Sequence, residues 1–141
     1  MLFNQTAEYA LRAMAHLALL PAGQSVRARD LSTATNIPAD YVSKVLRRMV
    51  REGLLHSQKG HGGGFRLARA PADITFAEVL AAAEPDPGRD RCAFGWGACD
   101  ATRPCLLHSA WSDLKDRYGA WAATTTLASG VSAPASPVPP R

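Results

Sequence analysis

Apolar side chains three and four residues apart predict three helices in the first third of the chain. The first is expected to stop at Pro-Ala-Gly (21–23), and a short second helix spans 28–35 before Asn-Ile-Pro (36–38) breaks it. The third begins at Pro38, because proline suits the first helical position, and is capped by Gly53. Their apolar positions, in chain order, are Ala7, Ala10, Leu11, Met14, Leu17 and Ala18, then Leu31 and Ala34, then Val42, Val45, Leu46 and Met49.

A glycine-rich turn separates two short strand-like runs after the third helix. LLHSQ and FRLAR flank KGHGGG, which predicts a β-hairpin. A fourth helix follows, where Thr75 and Glu78 have the spacing of a capping box and Ile74 and Val79 that of a hydrophobic staple. Helix, short helix, turn, helix and hairpin in this order predict a mainly α fold, a winged helix-turn-helix with a β-hairpin wing.

The last helical pattern is expected to start at Pro104, and its apolar side chains alternate four and three residues apart. That spacing makes a narrow seam suited to packing on another helix. Two tryptophans and a tyrosine supply much apolar area far from the N-terminal core, so we expect the seam to join two copies of the chain. The alternative is that it covers the chain's own core. The seam residues are Leu107, Trp111, Leu114, Tyr118 and Trp121.

These patterns divide the chain into four parts. Residues 1–84 form the winged helix-turn-helix domain, residues 85–104 a cysteine-containing loop, and residues 105–128 the dimerisation helix. Residues 129–141 (SGVSAPASPVPPR) are rich in proline and serine and are expected to be disordered.

The positive charge is concentrated in the first part of the chain. Residues 1–80 hold ten Lys and Arg against six Asp and Glu, whereas residues 81–141 hold six of each. The whole net charge of +4 therefore lies in the first part, which suits a domain that binds a polyanion.

No stretch of the sequence predicts a membrane span or a secretory signal. Glu8, Arg12 and His16 interrupt the most apolar run, and no basic leader precedes it. We therefore expect a cytoplasmic protein with no membrane partner. Cytoplasmic thiols stay reduced, so the three clustered cysteines favour metal binding or thiol chemistry over disulfides.

Double-stranded DNA is the expected partner of the predicted winged helix-turn-helix. The third helix would enter the major groove, with polar residues at its N-terminal end near base edges and cations near phosphates. The glycine-rich turn has little side-chain bulk, so its backbone can approach DNA, and it lacks the Lys-Ser/Thr ending of a nucleotide-binding P-loop. The candidate contacts are Asp40, Tyr41, Ser43, Lys44, Arg47 and Arg48 on the helix, and Lys59, His61 and Arg66 on the wing.

A second candidate site lies in residues 91–111, with the spacing Cys92-x6-Cys99-x5-Cys105-x2-His108. A helix starting at Pro104 would place Cys105 in its first turn, where the dipole favours a thiolate, with His108 on the same face. Three thiolates and an imidazole suit a zinc ion or an iron–sulfur cluster, and the spacing leaves both open. A thiol enzyme with Cys105 as nucleophile and His108 as base is disfavoured, because no orienting partner or substrate pocket is evident.

The chain resembles the Rrf-two family of bacterial winged-helix iron–sulfur regulators over nearly its whole length, to about residue 128. The resemblance rests on AEYALRAMAHLA, on IPADYVSKVLRRMVREGLLHSQKGHGGGFRLAR through the third helix and the hairpin, and on ITFAEVLAAAE. CLLHSAWSDLKDRY and the later TTTLASG look closest to IscR-like members of the family.

This resemblance implies a homodimer joined by the C-terminal helices, in which Cys92, Cys99 and Cys105 match the family's cluster cysteines. His108 matches the histidine that completes a 2Fe–2S site in IscR-like members. In NsrR-like members, an acidic residue in the first helix of the other subunit completes a 4Fe–4S site, and Glu8 stands at that position here. The prediction is a regulator whose operator binding is controlled by a cluster, 2Fe–2S rather than 4Fe–4S, that senses iron–sulfur status, redox stress or nitric oxide. The alternative is a zinc-stapled DNA-binding or interaction module without a sensing role.

Two positions depart from the pattern of IscR-like members. Six residues separate Cys92 from Cys99, where those members typically have five, and the extra length falls in a glycine-containing loop. Ser43 replaces an acidic residue of their recognition helix, so a different operator sequence is expected.

Overall fold

The computed structural model describes residues 3–84 and 91–130. Residues 85–90 of the predicted loop and residues 131–141 of the predicted tail lie outside these ranges. The described chain is mainly helical with one antiparallel hairpin, which confirms the predicted winged helix-turn-helix fold. Its main elements are α1 (Gln5–Ala18), α2 (Ala28–Thr35), α3 (Ala39–Arg51), β1 (Leu55–Gln58), β2 (Gly64–Leu67), α4 (Phe76–Ala83) and α5 (His108–Thr124).

The core is formed by α1, α2, α3 and α4, and most of its positions match the predicted apolar faces. In α1, Ala13 is buried and the predicted Leu11 is only half-buried. In α2 the residue that faces inward with Leu31 is Thr35, whereas Ala34 is exposed. The hydroxyl of Thr35 donates to the carbonyl of Leu31 at 2.6 Å, so its polar atom is satisfied inside the core. The expectation that Ala34 faces inward is therefore wrong, because a local hydrogen bond allows a threonine to be buried.

Helix α3 begins one residue later than predicted and ends as expected at glycine. Pro38 is the N-cap, and Gly53 lies just beyond the C-cap with φ +75°, a conformation that suits glycine. The amide of Leu54 donates to the carbonyl of Met49 at 2.9 Å, and that of Gly53 to the carbonyl of Val50 at 3.0 Å. This pair of bonds is a Schellman motif, which turns the chain from α3 into the wing.

The wing is anchored by a third segment that the sequence pattern did not indicate. Strands β1 and β2 pair in antiparallel register from Leu55↔Leu67 to Gln58↔Gly64. Val26 exchanges two hydrogen bonds with Phe65, at 2.9 and 2.8 Å, so the residue before the cap of α2 pairs with β2. The base of the wing is thereby fixed beside the start of α2.

Helix α4 has the predicted capping box. The Thr75 hydroxyl accepts from the amide of Glu78, and the Glu78 carboxylate accepts from the amide of Thr75 at 2.9 Å. The chain returns to this point after α5, because Thr75 pairs with Thr126 and a 3-10 turn at Leu127–Gly130 follows. Ordered structure therefore extends past the predicted tail boundary at residue 129, since the amide of Ser129 donates to the carbonyl of Thr126.

Helix α5 packs on the core through its C-terminal part, where Ala122 is its one buried residue and Tyr118 is partly buried. The helix begins at His108, so the prediction that it starts at Pro104 with Cys105 in its first turn is wrong. The amide of His108 donates to the carbonyl of Cys105 at 3.0 Å, and this single turn replaces the expected first helical turn. Among the described residues, no helix is both long and apolar enough to span a bilayer.

Candidate metal centre and nucleic-acid interface

The outer face of α3 is polar and basic. Asp40, Lys44 and Arg47 are exposed and follow one another at helical spacing of four and three residues. Lys44 and Arg47 form no ion pair with any residue that the structure describes, so both cations are available to an external anion.

Tyr41 and Ser43 lie beside this face. Tyr41 is 42% exposed and packs edge-on against Tyr9 of α1, with ring centroids 5.5 Å apart. Ser43 is half-buried. The tyrosine stack fixes the N-terminal end of α3, which is the end that sequence analysis expected to reach base edges.

Arg48 differs from the other predicted DNA contacts. It is half-buried, and its Nη1 donates to the carbonyl of Ala83, the last residue of α4, at 2.7 Å. The side chain is thus bonded within the protein instead of being free on the outer face. The reason is helical geometry, since Arg48 follows Arg47 by about 100° around the helix and faces α4.

The wing carries the other predicted cations. Lys59, His61 and Arg66 are exposed. A cleft of about 540 Å³ lies between the glycine-rich turn and the start of α2, and its lining includes His61, Gln58 and Arg27. Arg27 was missed by sequence reasoning, because only the distant pairing of Val26 with Phe65 brings it to the wing.

The segment that carries the first two cysteines is a small hairpin. Arg91 pairs with Ala98, and the amide of Cys92 donates to the carbonyl of Gly97 at 2.9 Å. Gly95 and Gly97 both have positive φ, which supports the expectation that glycines let this loop bend. Cys92 and Cys99 each follow one residue of the Arg91–Ala98 pair, and both line the same cleft.

The next turn is organised by Asp100. Its Oδ1 accepts from the amide of Thr102 at 2.8 Å and from the Thr102 hydroxyl at 2.6 Å, and its Oδ2 lies 3.5 Å from Nε of Arg103. The hydroxyl of Thr102, followed by its amide, holds the pKa of the Asp100 carboxyl below its usual value. This turn carries the chain from Cys99 to Cys105.

The three thiols and the imidazole meet in one cleft of about 410 Å³, and the four side chains approach in two pairs. Cys92 Sγ lies 4.0 Å from Cys105 Sγ, and Cys99 Sγ lies 3.4 Å from His108 Nδ1. All three cysteines are free and half-buried. Within residues 3–84 and 91–130, no three potential ligands are close enough to form a metal site as they stand. The donor set nevertheless fits a thiophilic metal centre, because thiolates and imidazole are its preferred ligands.

The electrostatics of the cleft favour a thiolate at Cys92. The main-chain N–H of Phe94 hydrogen-bonds the sulfur and lowers the pKa of the Cys92 thiol against the opposing effect of burial, and Cys105 and the N–H of Trp96 lower it further. Phe94 and Trp96 stack with ring centroids 4.8 Å apart, and Trp96 lines the cleft. The thiolate is the form of cysteine that binds metals, so a lowered pKa makes Cys92 a better potential ligand.

Glu8, the rival fourth ligand, is half-buried near the start of α1. Its amide donates to the carbonyl of Asn4, but its carboxylate makes no hydrogen bond or ion pair within the described part of the chain. Its carboxylate is therefore free for an external partner.

The residues of the predicted seam of α5 have different surroundings: some pack on the core, one bonds to the cysteine loop and two leucines are exposed. Trp121 packs against Phe3 and Phe76, with ring centroids 6.5 and 5.5 Å away, and Tyr118 also packs against Phe3. Trp111 donates to a carbonyl of the cysteine loop. Leu107 and Leu114 remain 37% and 52% exposed.

Comparison with known proteins gives matches across most of the chain. The Rrf2 family model, described as "Iron-dependent Transcriptional regulator", matches residues 3–132. The HTH-type transcriptional regulator IscR of Escherichia coli is 33% identical over 119 residues, which cover 84% of this chain and 73% of that protein.

Two solved structures share the fold. "The Structure of CymR (YrzC) the Global Cysteine Regulator of B. subtilis" superposes with a TM-score of 0.75 at 18% identity, covering 90% of this chain and 93% of that one. IscR of T. potens has a TM-score of 0.73 at 19% identity, covering 92% and 85%.

Proposed function

This chain belongs to the Rrf2 family of transcriptional regulators, and from that premise we propose that an iron–sulfur cluster controls its binding to a double-stranded DNA operator. Family membership makes it a DNA-binding regulator related to IscR and not an enzyme. The proposed working form is a cytoplasmic homodimer. The observation that carries the proposal is the cleft in which three thiols and one imidazole meet.

The proposed ligands are Cys92, Cys99, Cys105 and His108, around a 2Fe–2S cluster. The 3.4 Å approach of His108 Nδ1 to Cys99 Sγ supports histidine as the fourth ligand, because both donors already face the same cleft. A bound cluster would supply a centre that responds to oxidants or nitric oxide. Glu8 of the partner subunit is the alternative fourth ligand, and with it a 4Fe–4S cluster is expected.

The chain's own groups prepare the cleft for a negatively charged cluster. The main-chain N–H groups of Phe94 and Trp96 lower the pKa of the Cys92 thiol, and such donors stabilise thiolates and tune redox potential. The hydrogen bonds of the Asp100 turn fix the path of the chain between Cys99 and Cys105. The backbone on which these two proposed ligands lie is therefore held in place.

The proposed DNA interface combines the outer face of α3 with the wing. Lys44 and Arg47 are free cations and are assigned to phosphates, whereas Asp40, Tyr41 and Ser43 are nearest to base edges at the N-terminal end. On the wing, the same electrostatic argument assigns phosphate contacts to the exposed Lys59, His61 and Arg66, with Arg27 at the adjoining cleft.

A homodimer would cover the part of α5 that has no partner in a single chain. Sixteen of its 17 residues are not fully buried, and the exposed Leu107 and Leu114 mark its apolar side. A helix with so little burial gains stability by packing on a second copy. Tyr118 and Trp121 pack against the core and hold α5 in place, so that its exposed apolar side is available to a second copy.

The test of the cluster is a purification without oxygen, followed by iron and sulfide analysis and by absorption and Mössbauer spectra. We expect coloured protein with iron and sulfide, loss or change of the spectrum in His108→Ala, and a wild-type spectrum in Glu8→Ala. The reverse result for the two variants would assign the fourth position to Glu8. Colourless protein with stoichiometric zinc would reject the cluster.

The zinc outcome corresponds to the second candidate function, a zinc-stapled DNA-binding or interaction module. Three cysteines and one histidine can close all four positions of a tetrahedral zinc site, which is the specific observation in its favour. In that case, DNA binding should not respond to oxidants at concentrations that bleach an iron–sulfur cluster.

The DNA interface is tested by salt dependence. Arg47→Ala and Lys44→Ala should each weaken operator binding and lower the slope of log K against log salt by about 0.9 if each contacts one phosphate. Arg117→Ala, on α5, is the matched control and should leave the slope unchanged. Unchanged affinity and slope in both α3 variants would place the interface elsewhere.

A further inference from the structure

We infer that Trp111 is a positioning residue for the cysteine cleft, because its indole ties the first arm of the cysteine loop to the start of α5. The Nε1–H of Trp111 donates to the main-chain carbonyl of Arg91 at 2.9 Å. Arg91 directly precedes Cys92, and Trp111 follows His108 by one helical turn. The inference rests on the proposed function, because it names a residue that positions the ligands of the same metal centre.

On the loop side, the bonded carbonyl belongs to the base of the small hairpin. Arg91 pairs with Ala98 across that base. The hydrogen bond from Trp111 to Arg91 therefore also restrains the opposite arm of the hairpin, which carries Ala98. Cys92 follows Arg91, and Cys99 follows Ala98. One indole hydrogen bond therefore affects the positions of two thiols, although Trp111 forms no hydrogen bond with either of them.

On the helix side, the main chain of Trp111 is fixed at the entry to α5. Its amide donates to the carbonyl of Leu107 at 2.9 Å, and the amide of His108 donates to that of Cys105 at 3.0 Å. Trp111 and His108 are three residues apart on a helix and share a face. The same residue thus joins the segment that carries Cys105 and His108 to the segment that carries Cys92 and Cys99.

This role separates Trp111 from the other apolar residues of the predicted seam. Leu107 and Leu114 are exposed and have no polar group to satisfy, which suits an interface. Trp111 is half-buried, and its single donor already has a partner inside the chain. If the indole of Trp111 served only for apolar contact between subunits, its N–H would not be expected to bond to the Arg91 carbonyl within the same chain.

The test uses Trp111→Phe, which keeps an aromatic ring and removes the N–H donor, in the full-length metal-free protein. Hydrogen exchange measured by mass spectrometry should show faster exchange in peptides covering residues 91–99, where the Cys92 amide bonds to Gly97. Titration with Co²⁺ should show weaker thiolate-to-metal absorption, with affinity reduced by roughly tenfold, as for the loss of an outer-shell hydrogen bond.

Trp121→Phe is the matched control, since Trp121 lies on the same helix and packs against the rings of Phe3, Phe76 and Tyr118, away from the cysteine loop's Arg91 carbonyl. It should leave exchange in residues 91–99 and Co²⁺ affinity unchanged. Unaltered exchange in Trp111→Phe would overturn the inference, as would a weaker dimer with unaltered Co²⁺ affinity. If neither wild type nor variant binds Co²⁺, the proposed metal centre fails, and hydrogen exchange alone still decides the role of Trp111.

Discussion

The guanidinium of Arg48 donates to the carbonyl of Ala83, which joins the last turn of α3 to the last residue of α4. The carbonyls at a helix C-terminus have no partner within the helix and carry partial negative charge, so a cation satisfies one of them. Glu84 follows, with its Oε1 buried and unpaired among the described residues, and the chain then runs towards the cysteine loop. Helix α3, which is proposed to face DNA, is therefore joined directly to the end of α4, from which the chain continues to the cysteine loop.

Arg48→Met, which keeps the apolar stem and removes the donor, should lower the free energy of unfolding by about 1–3 kcal/mol. Urea denaturation of the metal-free protein measures this loss. The salt slope of operator binding should stay at the wild-type value, in contrast with Arg47→Met. A lower slope with unchanged stability would return Arg48 to the DNA interface.

Glu78 makes stability depend on pH at the start of α4. Burial acts to raise the pKa of its carboxyl, but hydrogen bonds from the Thr75 amide and from Arg69 outweigh it and hold the pKa below the usual 4.5. A lowered folded-state pKa stabilises the fold above pH 4.5, and this contribution is lost as the pH falls through the folded value. The wild type should thus exceed Glu78→Gln in stability at pH 7, and the difference should shrink below about pH 4.5 in thermal unfolding. A pH-independent difference would contradict this account.

Gly64→Ala should disrupt the anchoring of the wing. Gly64 has φ +136°, and an added Cβ would lie 2.5 Å from the carbonyl oxygen of Val26, so the Val26–Phe65 pairing would have to shift. We expect a loss of about 2–3 kcal/mol in urea denaturation, together with weaker operator binding.

Gly62→Ala is the control for that substitution. Gly62 also has positive φ, but a Cβ there meets no atom within 4 Å. Only backbone strain of about 1 kcal/mol is expected. Equal losses in the two variants would mean that the contact with Val26 has no special importance.

Leu114→Asp should dissociate the proposed dimer without unfolding the chain. Leu114 is 52% exposed in a single chain, so an aspartate there is tolerated in the monomer and is costly only when a second copy covers it. Analytical ultracentrifugation should show a dissociation constant raised roughly tenfold or more. Leu19→Asp, at a similarly exposed leucine outside α5, should leave the dimer intact. A dimer that is insensitive to Leu114→Asp would move the interface off this face.

The parts of the fold that the sequence predicted are those with local causes. The capping box at Thr75 and the glycine after α3 depend on residues within six positions, so they can be recognised from spacing alone. Thr35 shows the limit of the hydrophobic pattern, because a bond to Leu31 lets a polar side chain take a core position.

The features that the sequence did not predict depend on contacts between distant residues. Nothing near Val26 marks it as a partner of Phe65, and nothing near Arg48 marks Ala83 as its acceptor. In the candidate site, the cysteine and histidine spacing identified the donor set. The start of α5 was misplaced because a turn at Cys105 satisfies the His108 amide without a helix.

The pairing of Thr75 with Thr126 has a consequence for how this chain can vary. Helix α4 follows Thr75 and belongs to the core, and the chain returns to Thr75 after α5. The cysteine loop and α5 therefore lie between two attachment points on the winged domain. The entropy of closing a flexible loop grows only logarithmically, by about 0.6 kcal/mol for each doubling of length. Residues can therefore be gained or lost between Cys92 and Cys99, as the six-residue interval illustrates, while the DNA-facing half keeps its shape. Under the proposed function, substitutions confined to the segment between α4 and Thr126 would alter the cluster site and leave the helix-turn-helix intact.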